Sequence, residues 1–338
     1  MDLQTHDRQT PGQSLGRLLP RVCPVTPGCA QDEVEPQNST TNQSGHGEGG
    51  YKTVVRFVKL VGSLIFFAGT AIWRGVEQLR GKPIPGSLIV LCYHVVPQGQ
   101  RARFARQMDL LQRHAKPIRA DVEMPLPTGE RCVAVTFDDA YQSTVENTLP
   151  ELKARNIPCT LFVVSHLPGH SPWWAGTDGY DREDRFVTAE QLANLPGDLV
   201  TIGSHTMTHP NLSALSEEMA KRELFESRQS LQRALRREIR LFAFPHGFYN
   251  AALVSWCREA GYRRVFSIEP STTVSSLPEY VTGRVIADPT DWELEFRLKV
   301  LGAYQWLPVA YRMKRKVRAT LKQRSTEIVE STHATKTF

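Results

Sequence analysis

Two adjacent carboxylates follow an apolar run in the stretch Val133-Ala134-Val135-Thr136-Phe137-Asp138-Asp139-Ala140-Tyr141. An apolar run without alternation is typical of a strand that is buried on both faces, as in a parallel sheet. Successive side chains of an extended chain point in opposite directions, so Asp138 and Asp139 cannot face the same way. One carboxylate can therefore bind a metal ion while the other stays available as a base.

A second apolar run, Leu199 to Ile202, leads into Gly203-Ser204-His205-Thr206-Met207-Thr208-His209-Pro210. Two imidazoles four residues apart, together with a carboxylate from another strand end, form a facial set of three metal ligands. Such a set leaves coordination positions open for water and substrate. The pattern predicts a metal centre made by His205, His209 and one of the two aspartates.

Apolar, strand-like runs alternate with amphipathic segments in the rest of the chain. Strands are predicted at 87–93, 132–137, 159–164, 199–202, 241–244, 264–268 and 281–286. This alternation predicts an α/β fold with a parallel sheet, in which active groups collect at the carboxyl ends of the strands. His94 and His246 also follow strand-like runs. We therefore expect both histidines near the aspartates.

The runs Thr136-Phe137-Asp138-Asp139 and His205-Thr206-x-x-His209 resemble the first two motifs of the polysaccharide deacetylases, the NodB-homology or carbohydrate esterase 4 group. Phe242-Ala243-Phe244-Pro245-His246-Gly247 is similar to the third motif, and the resemblance covers roughly residues 87 to 300. It implies a distorted, TIM-barrel-like (β/α) barrel with fewer than eight complete units. It also implies a hydrolase of non-peptide carbon–nitrogen bonds that removes acetyl groups from N-acetylated sugars.

By this resemblance, Asp139, His205 and His209 bind one divalent metal ion, and Asp138 is the general base. Two imidazoles and one carboxylate suit zinc, cobalt or nickel, of which we expect zinc. A carboxylate within reach of a metal-activated water can take its proton. A backbone N–H near Ala140 or Tyr141 is expected to stabilise the oxyanion.

The sequence departs from the family pattern at several positions. Ala140 stands where the family usually has Gly, Ala243 where many members have an arginine that pairs with the base, and His246 where Tyr is commoner. No Leu-x-x-His motif follows residue 250, although the usual general acid lies there. His94 and His246 are the candidate proton donors. The remaining possibility is that Asp138 itself passes the proton that it takes from water to the leaving amine.

The leading hypothesis is a metal-dependent deacetylase of a polysaccharide or glycoconjugate. A catalytically impaired glycan-binding module that keeps the fold is the alternative. A non-haem iron oxygenase could use the same three ligands, but the adjacent second aspartate argues against it. Nucleic acid is not an expected partner, because the net charge of +6 forms no basic stripe interleaved with aromatic residues. The sequence leaves the oligomeric state open.

Composition divides the chain into four segments. We predict a disordered leader at 1–50, an apolar and basic helix at 51–82, the deacetylase domain at 83–302, and a basic helix with a tail at 303–338. The uncharged part of the second segment, Leu60 to Trp73, has 14 residues, whereas a spanning helix needs about 20. We expect this segment to be an interfacial or marginal membrane anchor, and the sequence does not determine the side of the membrane. The alternative is a helix packed on the domain of a cytoplasmic protein.

Overall fold

The computed structural model describes residues 48–122, 125–166, 168–171, 184–271 and 279–313. The disordered leader and the basic tail were predicted for segments that lie largely outside these described residues.

The elements follow the predicted alternation of strands and helices. The strands are β1 Ser87–Tyr93, β2 Lys116–Pro117, β3 Arg131–Phe137, β4 Cys159–Val163, β5 Val200–Ser204, β6 Leu241–Ala243, β7 Arg264–Ser267, β8 Val281–Gly283 and β9 Val285–Ile286. The helices are α1 Glu48–Leu79, α2 Arg101–His114, α3 Gln142–Ala154, α4 Ala189–Ala193, α5 Glu217–Leu235, α6 Ala251–Glu259 and α7 Glu293–Val300. The run 281–286, predicted as one strand, is two strands, and neither β2 nor α7 was expected.

The strands form one parallel sheet in the order β8-β7-β6-β5-β4-β3-β1-β9, with β2 added beside β3. The ladder between β1 and β3 runs from the pair Ser87 and Arg131 to the pair Tyr93 and Phe137. The outermost strands β8 and β9 are separated in the chain only by Arg284. The chain itself therefore joins the two ends of the sheet and makes it a nearly closed barrel. This confirms the distorted (β/α) barrel expected from the sequence.

Two apolar cores explain why the strands are apolar without alternation. The smaller core is formed by alternate strand residues together with a few loop residues and contains Leu88, Val90, Ala120, Leu126, Cys132, Ala134, Phe162, Leu241, Ala243 and Phe266. The larger core joins the other strand faces to the helices, where Phe104 and Met108 of α2 and Leu224 and Leu231 of α5 are buried. Burial on both faces of a parallel sheet leaves the strand ends as the place for polar groups.

Helix α1 begins three residues before the helix predicted at 51–82 and ends three residues before its predicted end. Its part Thr53–Leu79 has 27 residues and contains an 18-residue stretch with a mean hydropathy of 1.7, enough to cross a membrane by length and composition alone. The helix also contacts the domain, because Leu60 and Ser63 are buried and Arg56 forms an ion pair with Glu295 of α7. Four cysteines of the described residues are free and buried: Cys92, Cys132, Cys159 and Cys257.

Candidate metal centre and active site

The two aspartates lie in a turn that directs their carboxylates to different sides. The Asp138 N–H donates to Tyr93 O at 2.9 Å, which extends the ladder between β1 and β3 by one residue. The backbone then enters the left-handed region at Asp139 (φ 68°) and Ala140 (φ 62°). The turn forms although Ala140 stands at a position where the family usually has glycine. Its N–H donates to Asp138 O at 2.9 Å, so of the two amides expected at the oxyanion this one is engaged in the turn.

The histidines lie in a loop that is held by a carboxylate from a neighbouring helix. Strand β5 ends at Ser204, and the backbone is left-handed at Thr206 (φ 69°) and His209 (φ 63°). Glu223 of α5 accepts hydrogen bonds from the N–H groups of Met207 at 2.7 Å and Thr208 at 3.1 Å. It also accepts one from the Thr208 hydroxyl at 2.7 Å. These contacts fix the loop that carries both imidazoles.

Asp139, His205 and His209 lie together, as the sequence predicted. The Oδ1 atom of Asp139 lies 3.6 Å from His205 Nε2 and 3.4 Å from His209 Nε2. One ligand atom from each of the three residues lies within 4.8 Å of the others, and all three side chains are buried. These are the separations that a single bound cation can bridge.

Hydrogen bonding at His205 shows that this donor set fits a cation. Its Nδ1 lies 2.8 Å from Ala243 O, and a carbonyl can only accept, so Nδ1 carries the proton. Burial lowers the pKa of His205 to about 4 and that of His209 to about 2. In the neutral His205 ring, Nε2 therefore presents a lone pair toward a carboxylate oxygen. Two acceptors cannot hydrogen-bond to each other, whereas a divalent cation satisfies both.

Asp138 forms a buried ion pair with Arg284, which the sequence analysis did not identify. The guanidinium donates to Oδ1 at 2.6 Å and to Oδ2 at 2.7 Å, and its carbon lies 5.2 Å from the centre of the Phe162 ring. Burial alone would raise the pKa of Asp138, but Arg284 outweighs it and holds this pKa well below its usual range. Asp138 thus has an arginine partner, although Ala243 stands where many family members carry one.

The sequence feature that could have identified Arg284 is that it is a single charged residue inside an apolar run. It lies between Gly283 and Val285, in the segment predicted as one strand. A fully buried arginine is rare unless it is paired, so its position called for a carboxylate partner. Which carboxylate Arg284 meets could not be read from the sequence, because 146 positions separate it from Asp138.

The two candidate proton donors lie on different sides of the cluster. His94 Nε2 lies 3.9 Å from Asp138 Oδ2, and its side chain is 45% exposed. His246 stacks edge-on against His209, with ring centres 4.8 Å apart, and burial lowers its pKa. The Cys92 thiol also donates to Asp138 Oδ2 at 3.4 Å. Cys92, His94 and Asp138 have the spacing of metal ligands, but the Arg284 cation already binds both oxygens of that carboxylate.

Part of the chain is similar in sequence to known polysaccharide deacetylases. Residues 126–265 match the model of the polysaccharide deacetylase family. YxkH of Bacillus subtilis, a protein named for the polysaccharide deacetylases, is 24% identical over 231 residues, which are 65% of this chain and 76% of YxkH. The poly-beta-1,6-N-acetyl-D-glucosamine N-deacetylase of Staphylococcus aureus strain MRSA252 is 24% identical over 172 residues, 48% of this chain. The match spans 57% of that enzyme, less than two thirds of its length.

Solved structures show the same fold. IcaB from Ammonifex degensii superposes with a TM-score of 0.52 at 24% identity, over 64% of this chain and 97% of its own. The Streptococcus pyogenes deacetylase PplD superposes with a TM-score of 0.51 at 16% identity, over 64% of this chain and 99% of its own. At these identities the likeness concerns the barrel alone.

Proposed function

Because the chain belongs to the polysaccharide deacetylase family, we propose that it hydrolyses the acetamido group of N-acetylated sugars in a polysaccharide or glycoconjugate. The observation that carries this proposal is the buried cluster of Asp139, His205 and His209 beside the arginine-paired Asp138. The name of the Staphylococcus aureus relative makes N-acetylglucosamine polymers the first substrates to test.

Asp139, His205 and His209 would hold one divalent metal ion, zinc in our proposal. A metal ion bound there supplies Lewis acidity toward the acetyl carbonyl and lowers the pKa of a water molecule. The protein's part is to keep both imidazoles neutral by burial and to fix the His205 tautomer through the Ala243 carbonyl.

Asp138 takes the proton from the water that attacks the acetyl carbon. Arg284 keeps this carboxylate ionised and fixes its direction through two hydrogen bonds. The depressed pKa makes Asp138 a weak base but a strong acid once protonated, so it readily passes the proton on. The C–N bond breaks, the sugar amine leaves with a proton, and acetate remains.

His94 is the better placed of the two histidines to deliver that proton. Its Nε2 lies 3.9 Å from Asp138 Oδ2, within reach of a relay to the leaving nitrogen. The lowered pKa of His246 keeps its ring neutral at physiological pH and makes it a poor donor. We therefore assign the general acid to His94, with direct return from Asp138 as the other route.

Acetate release tests this function. Purified full-length protein with zinc is given chitin oligosaccharides, poly-N-acetylglucosamine and lipid-linked N-acetyl sugars. Asp138→Asn should lower the rate by about 10²–10⁴-fold with metal retained, and His205→Ala with His209→Ala should lose the metal. Asp198→Asn, an exposed residue before β5, is the matched control and should behave as wild type. Glycan binding without acetate release would instead support a glycan-binding module.

We also propose that the protein associates with a membrane through α1. The support is the apolar composition of Thr53–Leu79. This proposal is independent of the chemistry at the barrel end, and it leaves open the side of the membrane.

A further inference from the structure

Helix α1 contacts the domain through polar groups. Arg56 donates to Glu295 at 2.5 Å and to Thr290 O at 2.8 Å, and Trp306 Nε1 donates to Ser63 Oγ at 3.0 Å. A Cβ atom added at Gly62 would lie 2.5 Å from the Trp306 ring, so only glycine permits this approach. The face of α1 that meets the barrel thus combines these hydrogen bonds with apolar packing of Leu60 and Phe67.

The opposite face of α1 is apolar and exposed. It carries Phe57, Val58, Val61, Leu64, Ile65, Ile72, Trp73, Val76 and Leu79, with exposed fractions from 38% to 90%. We call this set the apolar stripe. An ordinary surface helix exposes its polar side, whereas α1 exposes this apolar side in addition to packing Leu60 and Phe67 on the domain. A contiguous apolar surface of this length marks an interaction site.

Charge and position indicate what covers the apolar stripe. Lys59 of α1 lies 5.8 Å above the ring of Tyr311, so the residues around Tyr311 are neighbours of the helix. Val309, Tyr311 and Met313 are exposed there and add apolar surface. The sequence continues directly with Lys314-Arg315-Lys316-Val317-Arg318. Apolar surface that is followed directly in the sequence by clustered basic residues has the chemistry that binds an anionic bilayer.

We infer that α1 lies in the plane of an anionic membrane surface, with the apolar stripe in the lipid and the barrel against the headgroups. This inference rests on the proposed membrane association and states its geometry. A spanning helix must be surrounded by lipid or protein over a hydrocarbon thickness of about 30 Å. The helix is held on the domain from Arg56 to at least Ser63, and Phe67 packs against the same core.

The docked part leaves too little helix to cross a bilayer. Beyond Phe67, residues 68–79 extend only about 18 Å at 1.5 Å per residue, and they include Arg74 and Glu77. Crossing with the whole helix would break the ion pairs of Arg56 with Asp291 and Glu295. Of the cations in this cluster, Lys299 alone would then face the two carboxylates. Lying in the interface keeps these contacts and still buries the apolar stripe.

The depth of nitroxide labels in the membrane distinguishes an in-plane helix α1 from a spanning one. Val58, Ile65 and Ile72 are successive members of the apolar stripe, seven residues apart, and each is well exposed. In full-length protein with Cys23 and Cys29 replaced by Ser, a nitroxide is placed at Val58→Cys, Ile65→Cys or Ile72→Cys. On phosphatidylglycerol-containing vesicles we expect the same shallow depth at all three positions. A depth that changes by roughly 20 Å from first to last would overturn the in-plane geometry.

Vesicle flotation of unlabelled full-length protein provides the control. Ile65→Glu should lower vesicle binding at least tenfold, whereas Gln78→Glu, which adds the same charge outside the apolar stripe, should not. Raising the salt concentration should weaken binding. If the wild-type protein does not bind vesicles, or instead forms a dimer that Ile65→Glu abolishes, membrane association itself is overturned. Acetate release from soluble oligosaccharides is measured in parallel and bears only on the deacetylase proposal.

Discussion

Arg284 donates one hydrogen bond to each carboxylate oxygen of Asp138, and both side chains are buried. The guanidinium is planar and presents its donors as a fork that matches a carboxylate. The pair therefore fixes both the charge and the direction of the carboxylate to which we assign the base. Removal of either partner leaves an uncompensated charge in the barrel.

Replacement of Arg284 tests this pairing. Arg284→Met should lower the free energy of unfolding by about 3–5 kcal/mol, because the ionised Asp138 stays buried without its partner. Urea unfolding measures the change. Arg258→Met, an exposed arginine over Tyr280, is the control and should change stability little. Arg284→Lys keeps the charge without the fork and should lower acetate release while bound metal stays constant.

A double variant separates the pair from the individual residues. Asp138→Asn with Arg284→Met removes both charges, so its loss of stability should be smaller than the sum of the two single losses. Additive losses would show that the two residues stabilise the fold independently, against the pairing described here.

Metal binding should depend weakly on pH. Burial lowers the pKa of His205 to about 4 and that of His209 to about 2, so both imidazoles are already deprotonated at pH 6. Zinc binding at pH 6 should release almost no protons from these ligands. Calorimetry in two buffers of different ionisation enthalpy measures the release. A release of one or more protons from them would show that the histidines titrate normally.

The stability of the metal-free protein should fall as the pH falls from about 6.5 to about 4. In this window the unfolded chain protonates His205 and His209 at the ordinary pKa near 6.5, while the folded protein does not. The unfolded state therefore binds more protons, and unfolding becomes easier toward acid. Asp138, whose folded pKa is depressed, adds its own loss only below about pH 4. In His205→Asn with His209→Asn, the free energy of unfolding measured by chemical denaturation should change little between about pH 6.5 and about pH 4.

Glu223 should control metal affinity without touching the metal site. Its carboxylate accepts three hydrogen bonds from the histidine loop, and Glu223→Gln replaces one accepting oxygen by a donor. Outer contacts of this kind are worth about 10–100-fold in metal affinity, which chelator competition can measure. Glu226→Gln, an exposed position on the same helix that pairs with Arg222, is the control. Equal affinity in both variants would remove Glu223 from this role.

The basic limb of the pH–rate profile should identify the proton donor. His94→Gln should lower the rate and flatten this limb with bound metal unchanged, because the ring beside Asp138 no longer supplies a proton. His246→Gln should leave the limb in place. If both variants keep it, the proton returns from Asp138 directly, and a flattened limb in His246→Gln alone would reverse the assignment.

The sequence predicted the strands and most of the candidate site because both are local signals. Apolar runs fall on buried strands; Asp138, Asp139 and His205 directly follow two of them, and His209 comes four residues after His205. Arg284 was missed because its pairing is decided by the closure of the sheet. Helix α7 was missed because Glu295 and Lys299 are buried as an ion pair, which hides its apolar face. The orientation of α1 was also inaccessible, since its buried face carries Arg56 and Ser63.

The position of Arg284 in the last strands has a consequence for how the protein is made. The segment that matches the family ends at residue 265, whereas Arg284 and its flanking strands lie beyond it. A chain cut after residue 265 would retain Asp138, Asp139, His205 and His209, yet its barrel would be open. During synthesis the earlier strands leave the ribosome first. On the proposed mechanism we therefore expect a nascent chain to gain activity only when its final strand docks beside β1. Acetate release would then report that the whole domain has been completed.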